Sequence, residues 1–230
     1  GYTERMNQSV NSGRKKPATT PGRTNDPQRT MANILDVATA EFADKGLAGA
    51  RIDEIAAATH TSKRMIYYYY GSKEGLYLAV LENAYRSVRE IEAKLNLKDL
   101  SPTEALQRLA EFTYDHHRDN EYFIRLVMSE NIHRGEYIRQ SKDIRALNVP
   151  AIEAIRELYE RGVREGVFRP GLDPIDIHYA ISAFTFFNVS NRHTFDAIFQ
   201  ERGQRKKIDA NRRQQAVELI LRFVSHAHGA

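Results

Sequence analysis

The sequence predicts an all-α protein. Apolar residues recur at the three- and four-residue spacing of a helix along much of the 230-residue chain. No run of alternating apolar and polar residues is long enough to predict a strand. Helix starts can also be recognised, because Ser62, Ser72 and Ser101 each precede a helical pattern and offer a side-chain oxygen to its first backbone N–H groups.

The first predicted helix runs from about Pro27 to Lys45, and Gly46 is a natural stop for it. Its apolar stripe consists of Ile34, Leu35, Ala38 and Phe42. Two short helices should follow, and then a fourth, longer helix from Lys73 to about Asn96. That helix has an apolar face along its whole length, so we expect it to link the N-terminal part to the rest of the chain.

The two short helices lie on either side of the break Thr59-His60-Thr61. Ile52, Ile55 and Ala56 make the first helix amphipathic, and Ser62 caps the second. Lys63 and Arg64 lie in the first turn of the second helix, before a run of four tyrosines. This pattern is typical of a helix-turn-helix, in which a short turn joins two helices and the second exposes hydrogen-bond donors. A helix-turn-helix places its second helix in the DNA major groove.

The segment from about residue 28 to 88 resembles the N-terminal domain of TetR-family transcriptional regulators. The matching positions are Ile34-Leu35, Ala38, Phe42, Gly46, Ile55-Ala56, Tyr67, Tyr70, Ser72-Lys73-Glu74 and Leu76. The sequence of this segment looks closest to regulators of nitrogen-heterocycle or aromatic catabolism. The resemblance implies an N-terminal three-helix DNA-binding domain, a C-terminal helical ligand-binding and dimerisation domain, and a cytoplasmic bacterial protein.

Three positions depart from the family pattern. His60 stands at the usual turn glycine, so it must adopt a left-handed backbone or shift the turn. Tyr70 replaces the usual phenylalanine, and its hydroxyl needs a hydrogen-bond partner. Arg64 replaces a residue that is usually small, which suggests an individual base preference.

Residues of the turn and of the second short helix are the candidate DNA contacts. Arg64 can donate two hydrogen bonds to one guanine, and Lys63 lies beside it in the part of the helix that enters the groove. Tyr68 and Tyr69 point about 100° apart, so we expect one to reach DNA and the other to pack. Lys73 resembles the family's phosphate-contacting lysine. The full predicted set is Arg51, Thr61, Ser62, Lys63, Arg64, Tyr67, Tyr68, Tyr69 and Lys73.

The C-terminal half should form further helices. Ser101-Pro102-Thr103-Glu104 is a capping box that opens a helix to about His117. Two later helices are predicted at about Asn120 to His133 and at Ala151 to Glu165. Another begins at Asp173-Pro174, and one of its faces carries Ile177, Ala180, Ile181, Phe184 and Phe187. The last predicted helix carries Val217, Ile220, Leu221 and Val224.

The family resemblance implies that this half binds a small-molecule effector. Polar residues along an apolar stripe can orient a ligand. The predicted ligand contacts are Phe112, His116, Arg125, Met128, Phe184, Phe187, Asn188 and Asn191. Two other interpretations remain open at this point: the aromatic residues can be ordinary core, and Asn188 and Asn191 can hydrogen-bond across a dimer interface.

The expected partners are a double-stranded DNA operator, the effector and a second copy of the chain. One recognition helix covers few base pairs, so a homodimer on a palindromic operator is expected. The stripes Ile177–Phe187 and Val217–Val224 are the predicted isologous interface. The predicted domains are a basic disordered arm over 1–26, the helix-turn-helix domain over 27–75, and the effector-binding and dimerisation domain over 76–230.

The positive charge is concentrated at the N-terminus. The formal net charge is +4, and residues 1–30 contain six basic residues against two acidic ones, so the remainder sums to zero. The arm is a solvated tail, or a segment that follows the DNA backbone or enters the minor groove. A second basic cluster lies between the last two predicted helices, and it is a solvated loop and helix start or a second nucleic-acid patch. Its members are Arg202, Arg205, Lys206, Lys207, Arg212 and Arg213.

Composition excludes several classes of protein. The chain has no cysteine, which removes disulfides, thiol catalysis and thiolate metal sites. No apolar run is long enough for a membrane span, and no secretory leader is visible. Glu130 and His133 share a helix face without a second matching set, so neither metal nor cofactor is expected. The competing classes are a helical enzyme, for which no catalytic motif is found, and a nonspecific DNA-coating protein.

Overall fold

The computed structural model describes residues 26–199 and 203–226, and these residues form ten α-helices and no strand. In chain order the helices are α1 (Pro27–Gly49), α2 (Ile52–Ala58), α3 (Lys63–Tyr70), α4 (Lys73–Glu92), α5 (Pro102–Asp119), α6 (Glu121–Ile132), α7 (Lys142–Arg164), α8 (Pro174–Ser190), α9 (Arg192–Phe199) and α10 (Arg205–Val224). The predicted all-α fold is confirmed. Residues 1–25 of the predicted basic arm and Arg202 of the second cluster lie outside the described residues.

The N-terminal unit packs α1, α2 and α3 around one apolar core. Phe42, Ile55, Ile66 and Leu76 are fully buried there. Asp26 caps α1 through its side chain, and Gly46 breaks the helical backbone near its end with a φ of 68°. The predicted stop at Gly46 is therefore correct in place, although one further turn follows it.

The start of α4 belongs to the N-terminal core, and its far end lies among the C-terminal helices. Tyr77, Val80 and Leu81 pack with α1, and so do Leu126 from α6 and Ile144 from α7. The N-terminal unit therefore shares its core with the C-terminal helices and is not a separate domain joined by a linker. A movement of α4 or α6 will be felt directly by α1.

A second core lies between α5, α7, α8 and α10. Its buried residues include Leu106, Leu158, Ile177 and Val224. The predicted capping box at Ser101 is confirmed, since the Ser101 hydroxyl accepts from the Glu104 N–H and the Glu104 carboxylate accepts from the Ser101 N–H. Among the described residues, no helix combines the length and the apolar character that crossing a bilayer would require.

The predicted start of a helix at Ala151 is wrong, because α7 begins at Lys142 and contains Pro150. Ser141 caps this helix by accepting from the N–H of Ile144 at 3.1 Å. Proline lacks an N–H and disfavours helix before it, which is why the sequence indicated a start there. Burial of Ile144 and of later residues on the same face favours one continuous helix over that local preference.

The predicted apolar face of α8 is also partly wrong. The buried positions are Ile177, Ile181, Thr185 and Val189, four residues apart, whereas Phe187 is exposed. This helix is apolar on several sides, so periodicity alone did not identify its core face. The short helix α9 was not predicted, because only Asn191 separates it from α8. The described basic residues of the second cluster lie on α10, and Arg205, Lys206 and Lys207 form its first turn.

Candidate nucleic-acid interface and internal cavity

The turn between α2 and α3 is built around His60. Its backbone adopts the left-handed conformation, with a φ of 53°. The N–H of Thr61 donates to the Ala56 carbonyl at 3.0 Å and that of His60 to the Ala57 carbonyl at 3.3 Å. This is a Schellman ending, in which glycine is the usual left-handed residue. Of the two alternatives that the sequence left for His60, a left-handed backbone or a shifted turn, the structure has the left-handed backbone.

The outer face of α3 exposes donors and aromatic rings. Ile66 faces the core, which turns Arg64 and Tyr68 outward, and Tyr68 is 78% exposed. Arg64 makes no ion pair with any of the residues that the structure describes. Tyr67 is also exposed, whereas Tyr69 packs partly against the N-terminal core. Of the two neighbouring tyrosines, Tyr68 therefore points outward and Tyr69 packs, as the one-position offset predicted.

Lys63 is held by an acidic partner on α2. Its Nζ lies 2.6 Å from Oδ1 of Asp53, and this hydrogen bond raises the pKa of Lys63 and lowers that of Asp53. Arg51 also approaches Asp53, at 3.8 Å. Both pairs are exposed, so they contribute little stability. Lys63 must release Asp53 before it can contact a base, whereas Arg64 has no such partner.

The end of α3 is joined to α1 and α4 by specific contacts. The Tyr70 hydroxyl donates to the Met31 carbonyl at 3.2 Å, which supplies the partner that the sequence required. Ser72 caps α4 by accepting from the N–H of Gly75 at 2.9 Å. A Cβ at Gly75 would lie 2.0 Å from the Tyr70 carbonyl oxygen, so only glycine allows α3 and α4 to approach this closely.

The remaining predicted DNA contacts lie around the same surface. The side chain of Lys73 reaches the Ala48 carbonyl at 3.4 Å, at the start of α4. The Ser62 hydroxyl accepts from the Met65 N–H and caps α3. Thr61 lines an open cleft of about 900 Å³ between the turn and the beginning of α1, together with Arg29 and Asn33. Sequence reasoning did not identify Asn33, which has no distinguishing pattern.

The predicted effector residues do not line one cavity. They divide among three cavities that lie between different sets of helices. Phe112 and His116 line an inner cavity of about 170 Å³ between α4, α5, α6 and α8. Phe184, Phe187, Asn188 and Asn191 line an α8–α10 cavity of about 300 Å³. Arg125 and Met128 line an α1–α6 cleft of about 360 Å³.

The two asparagines make contacts within the chain. The side-chain amide of Asn188 donates to the Tyr114 hydroxyl at 3.1 Å, and that of Asn191 donates to the Ser190 hydroxyl at 2.8 Å. Arg125 is directed away from the inner cavity. Its Nε donates to the Ala43 carbonyl on α1 at 2.9 Å, and it lies 3.8 Å from the Asp44 carboxylate. Arg125 therefore joins α6 to the DNA-binding unit.

The inner cavity contains polar residues that sequence reasoning missed. They are Arg89 and Glu92 on α4, His117 on α5 and His178 on α8. Arg89 donates through Nη1 to both carboxylate oxygens of Glu92, at 2.9 and 2.8 Å. The spacing of Tyr85, Arg89 and Glu92 places them on one side of α4, which could have indicated a polar site. Charged residues at this spacing are equally typical of a solvent-exposed helix face, so the pattern did not distinguish the two.

The histidines of the inner cavity are neutral. The side chain of Thr185 donates to the Ile181 carbonyl at 2.9 Å, so its oxygen is left to accept from Nδ1 of His117 at 3.0 Å. Burial, followed by the nearby His116 and Arg89, lowers the pKa of His117 to about 3. Burial and Arg89 also lower the pKa of His178 to about 4. Protonating either imidazole would place an uncompensated charge inside the protein.

These shifts predict a loss of stability in mild acid. Both pKa values lie below about 6.5, the value for a histidine in an unfolded chain. Between pH 6.5 and 4 the unfolded chain therefore binds more protons than the folded chain. The free energy of unfolding should therefore fall as pH is lowered through that range. In denaturant titrations, His117→Gln should reduce this pH dependence, because one titrating imidazole is removed.

His226→Gln is the matched control, since His226 is exposed beyond the end of α10 and lies outside the inner cavity. It should leave the pH dependence unchanged. An equally steep loss of stability in wild type and His117→Gln would show that His117 is not buried as a neutral group.

Glu130 and His133, the candidate metal pair, are used in other ways. Glu130 is buried, and its carboxylate accepts from the Tyr77 hydroxyl and from the Ile138 N–H, each at 2.9 Å. His133 is exposed and its Nδ1 lies 2.8 Å from the Ser129 carbonyl oxygen. Within the described ranges, no group of three or more potential ligands lies close enough to hold a metal ion.

Comparison with known proteins agrees with this architecture. Residues 34–80 match the model of bacterial regulatory proteins of the tetR family, and residues 102–220 match the tetracyclin repressor-like C-terminal domain. The repressor NicS of Pseudomonas putida is 37% identical over 176 residues, which cover 76% of this chain and 83% of the relative. The repressor SCO4008 of Streptomyces coelicolor is 35% identical over 144 residues, covering 60% of this chain and 69% of the relative.

A solved structure has the same fold. A regulatory protein of the tetR family from Rhodococcus RHA1 aligns with a TM-score of 0.65 and 25% identity, covering 86% of this chain and 98% of that chain. The two domain matches together span both cores and the recognition helix. The chain belongs to the TetR family of bacterial transcriptional regulators.

Proposed function

We propose that this protein is a repressor that binds a palindromic operator as a homodimer and leaves it when a small molecule enters the inner cavity. The observation that carries the proposal is the course of α4. This helix starts against α3 and ends in the wall of the inner cavity, with Tyr85, Arg89 and Glu92. Two relatives bear the name repressor, which supports the direction of regulation.

A second helix provides the same connection. Helix α6 contributes Phe123 to the inner cavity, and two residues later Arg125 donates to the Ala43 carbonyl on α1. The buried hydrogen bond between Tyr77 and Glu130 joins α4 to α6. A ligand that moves Phe123 therefore acts on the DNA-binding unit through two joined helices. A ligand can release DNA only if it binds the DNA-free conformation more tightly than the DNA-bound one, and the difference between the two affinities limits the release.

The dimer interface is proposed on the outer faces of α8 and α10. Ile177, Ile181, Ile220 and Val224 of the stripes predicted from sequence are buried in the protomer's own core, whereas Phe187 of the same stripes is exposed. The opposite face of α8 exposes Ile175, Tyr179 and Phe187, and Leu219 of α10 is 52% exposed. Large apolar side chains exposed on neighbouring helices are typical of an interface, and an isologous dimer would bury this face of both protomers.

Selection of bound sequences from random double-stranded DNA tests the function. We expect an enriched palindrome whose half-sites lie about one helical turn, or a multiple of it, apart. A screen by thermal shift then identifies stabilising compounds, and titration of the protein–operator complex with each of them measures release. A nonspecific DNA-coating protein would enrich no sequence. A regulator of another kind would bind its palindrome but be released by no compound that stabilises it.

Arg125 provides a test of the coupling. Arg125 contacts the Ala43 carbonyl and so couples α6 to α1. We therefore expect a releasing compound to weaken operator binding by a smaller factor in Arg125→Ala than in the wild type. Its affinity for the compound in the absence of DNA should stay near that of the wild type, because Arg125 does not line the inner cavity. Isothermal titration and operator-binding isotherms measure the two quantities separately.

Arg118→Ala is the control, since Arg118 pairs with acidic residues on its own helix and at its end, not with α1. That variant should keep the wild-type ratio. If Arg125→Ala instead weakens compound binding in the absence of DNA, Arg125 holds the ligand, and the effector site lies in the α1–α6 cleft.

A further inference from the structure

The charged residues of the inner cavity are already paired with one another. Arg89 and Glu92 have side chains that are each 13% exposed, and they form a bidentate ion pair. The Nε of Arg89 also donates to Oδ1 of Asn148 at 2.9 Å. The remaining titratable groups of the lining are Tyr85 and three imidazoles. The lining therefore has no net charge left to neutralise a charged ligand.

One polar atom in this cavity lacks a partner. His116 is 9% exposed, and its buried Nδ1 makes no hydrogen bond to any residue that the structure describes. Buried polar side-chain atoms in folded proteins nearly always have a partner. Its neighbour His117, in contrast, is paired with Thr185. His116 lines the inner cavity, so its imidazole is a group of the cavity wall with unused hydrogen-bonding capacity.

The shape of the cavity limits the size of that ligand. Its walls are aromatic: the ring of Phe123 lies 5.5 Å from that of His116, edge to face, and 6.0 Å from that of His117. Phe112 lies 5.9 Å from His116. The volume is about 170 Å³, and an apolar cavity of about 150 Å³ holds one benzene molecule. This volume matches one six-membered ring with a small substituent.

A second, more open cavity shares part of its wall with the inner cavity. An outer vestibule of about 550 Å³ lies between α4 and α7. Tyr85, Arg89 and His178 line both the vestibule and the inner cavity, so they form the boundary between the two. A ligand that enters from the vestibule passes the paired guanidinium of Arg89 before it reaches His116.

We propose that the inner cavity binds a neutral, planar, single-ring aromatic compound whose polar substituent hydrogen-bonds to the imidazole of His116. This inference rests on the proposed function and specifies the chemistry of its effector. An aromatic carboxylate would lose its hydration beside the carboxylate of Glu92, with Arg89 already paired. An aromatic cation would lack an unpaired carboxylate and would lie beside Arg89. A neutral amide or phenol avoids both costs and completes the hydrogen bonding of His116.

Three compounds of nearly equal shape test the charge. Benzamide is neutral, benzoate is an anion and benzamidine is a cation at pH 7.5, and each is one ring with a small planar group. Isothermal titration of the full chain should give binding of benzamide at least about tenfold tighter than that of either ion. Equal or tighter binding of benzoate or benzamidine overturns the proposal, and so does the absence of benzamide binding at millimolar concentration.

Two further compounds test shape. Cyclohexanecarboxamide has the same substituent on a puckered ring, and 2-naphthamide has a second fused ring. Both should bind at least about tenfold more weakly than benzamide, because the walls are flat and the volume admits one ring. Equal binding of 2-naphthamide would show that the ligand is bound in a larger cavity.

Variants of His116 locate the binding. His116→Phe keeps an aromatic ring and removes Nδ1, so it should lose at least about tenfold in benzamide affinity. His116→Gln restores a hydrogen-bonding side chain and should recover part of the loss. His226→Phe is the control, since His226 is exposed beyond the end of α10. Circular dichroism and melting temperature without ligand show whether each variant is folded, and unchanged affinity in both His116 variants overturns the proposal.

Operator release separates this inference from the proposed function. Benzamide that binds with the expected dependence on His116 but does not free the operator contradicts the proposed release mechanism and leaves the ligand chemistry standing. Release of the operator by benzoate, with no binding of benzamide, contradicts the ligand chemistry and leaves the repressor function standing.

Discussion

A Tyr179→Glu variant is expected to sediment as a monomer and to lose at least about 100-fold in operator affinity. Tyr179 is 74% exposed at the centre of the outer face of α8, so the substitution should leave the protomer folded. In an isologous dimer the same substitution occurs twice and places two carboxylates in one interface. Losing the second recognition helix removes the gain from bivalent binding, which is commonly about 10²–10⁴.

Sedimentation velocity and operator titration measure the two effects, and Val149→Glu is the control. Val149 is an exposed apolar residue on α7, outside the proposed interface. It should remain dimeric and retain operator binding. Leu221→Glu is a less informative variant, because Leu221 packs against the C-terminal core and a charge there should lower the melting temperature. A Tyr179→Glu protein that stays dimeric would place the interface on another surface.

Arg64→Ala is expected to reduce specific operator affinity by about 1–3 kcal/mol, or roughly 5- to 150-fold. It should also relax the preference at one base pair of each half-site. The reason is that Arg64 is exposed in the first turn of α3 without an ion-pair partner in the described part of the chain. Lys63→Ala should have the smaller effect, since Lys63 is already bound to Asp53.

Lys73→Ala distinguishes base contact from phosphate contact. It should weaken operator and scrambled DNA alike and flatten the dependence of affinity on salt, because a phosphate contact carries no sequence information. Binding isotherms on both DNAs at several salt concentrations provide the comparison. An equal loss for both DNAs in Arg64→Ala would reassign Arg64 to the phosphate backbone. Unchanged affinity in both variants would move the DNA-contacting surface away from α3.

The local structure of the DNA-binding unit could be predicted from sequence. The helix-turn-helix, the caps at Ser62, Ser72 and Ser101, and the left-handed His60 all depend on contacts within a few residues. The Tyr70 hydroxyl needed a partner, which sequence could state as a requirement. Only the packing of α3 against α1 identified that partner as the Met31 carbonyl.

The C-terminal half could be predicted less well, for physical reasons that particular residues make clear. Pro150 indicated a helix start, but burial along α7 outweighed its local preference. Phe184 and Phe187 shared a predicted stripe with Ile177, yet the core selected positions four residues apart from Ile177 to Val189. On a helix that is apolar on several sides, the packing partners decide which face is buried.

The sequence by itself determined the family, the all-α class and the position of the recognition helix, because periodicity, caps and turns are short-range properties of the chain. Tertiary structure alone decided which side chains share a cavity. It separated Arg125 and Asn188 from Phe112 and His116, and it brought Arg89 next to His116. It also decided that Tyr179 and Phe187 are exposed on α8 while Ile177 and Ile181 are buried. These relations join residues far apart in the chain, and they depend on how helices pack, which no short-range pattern contains.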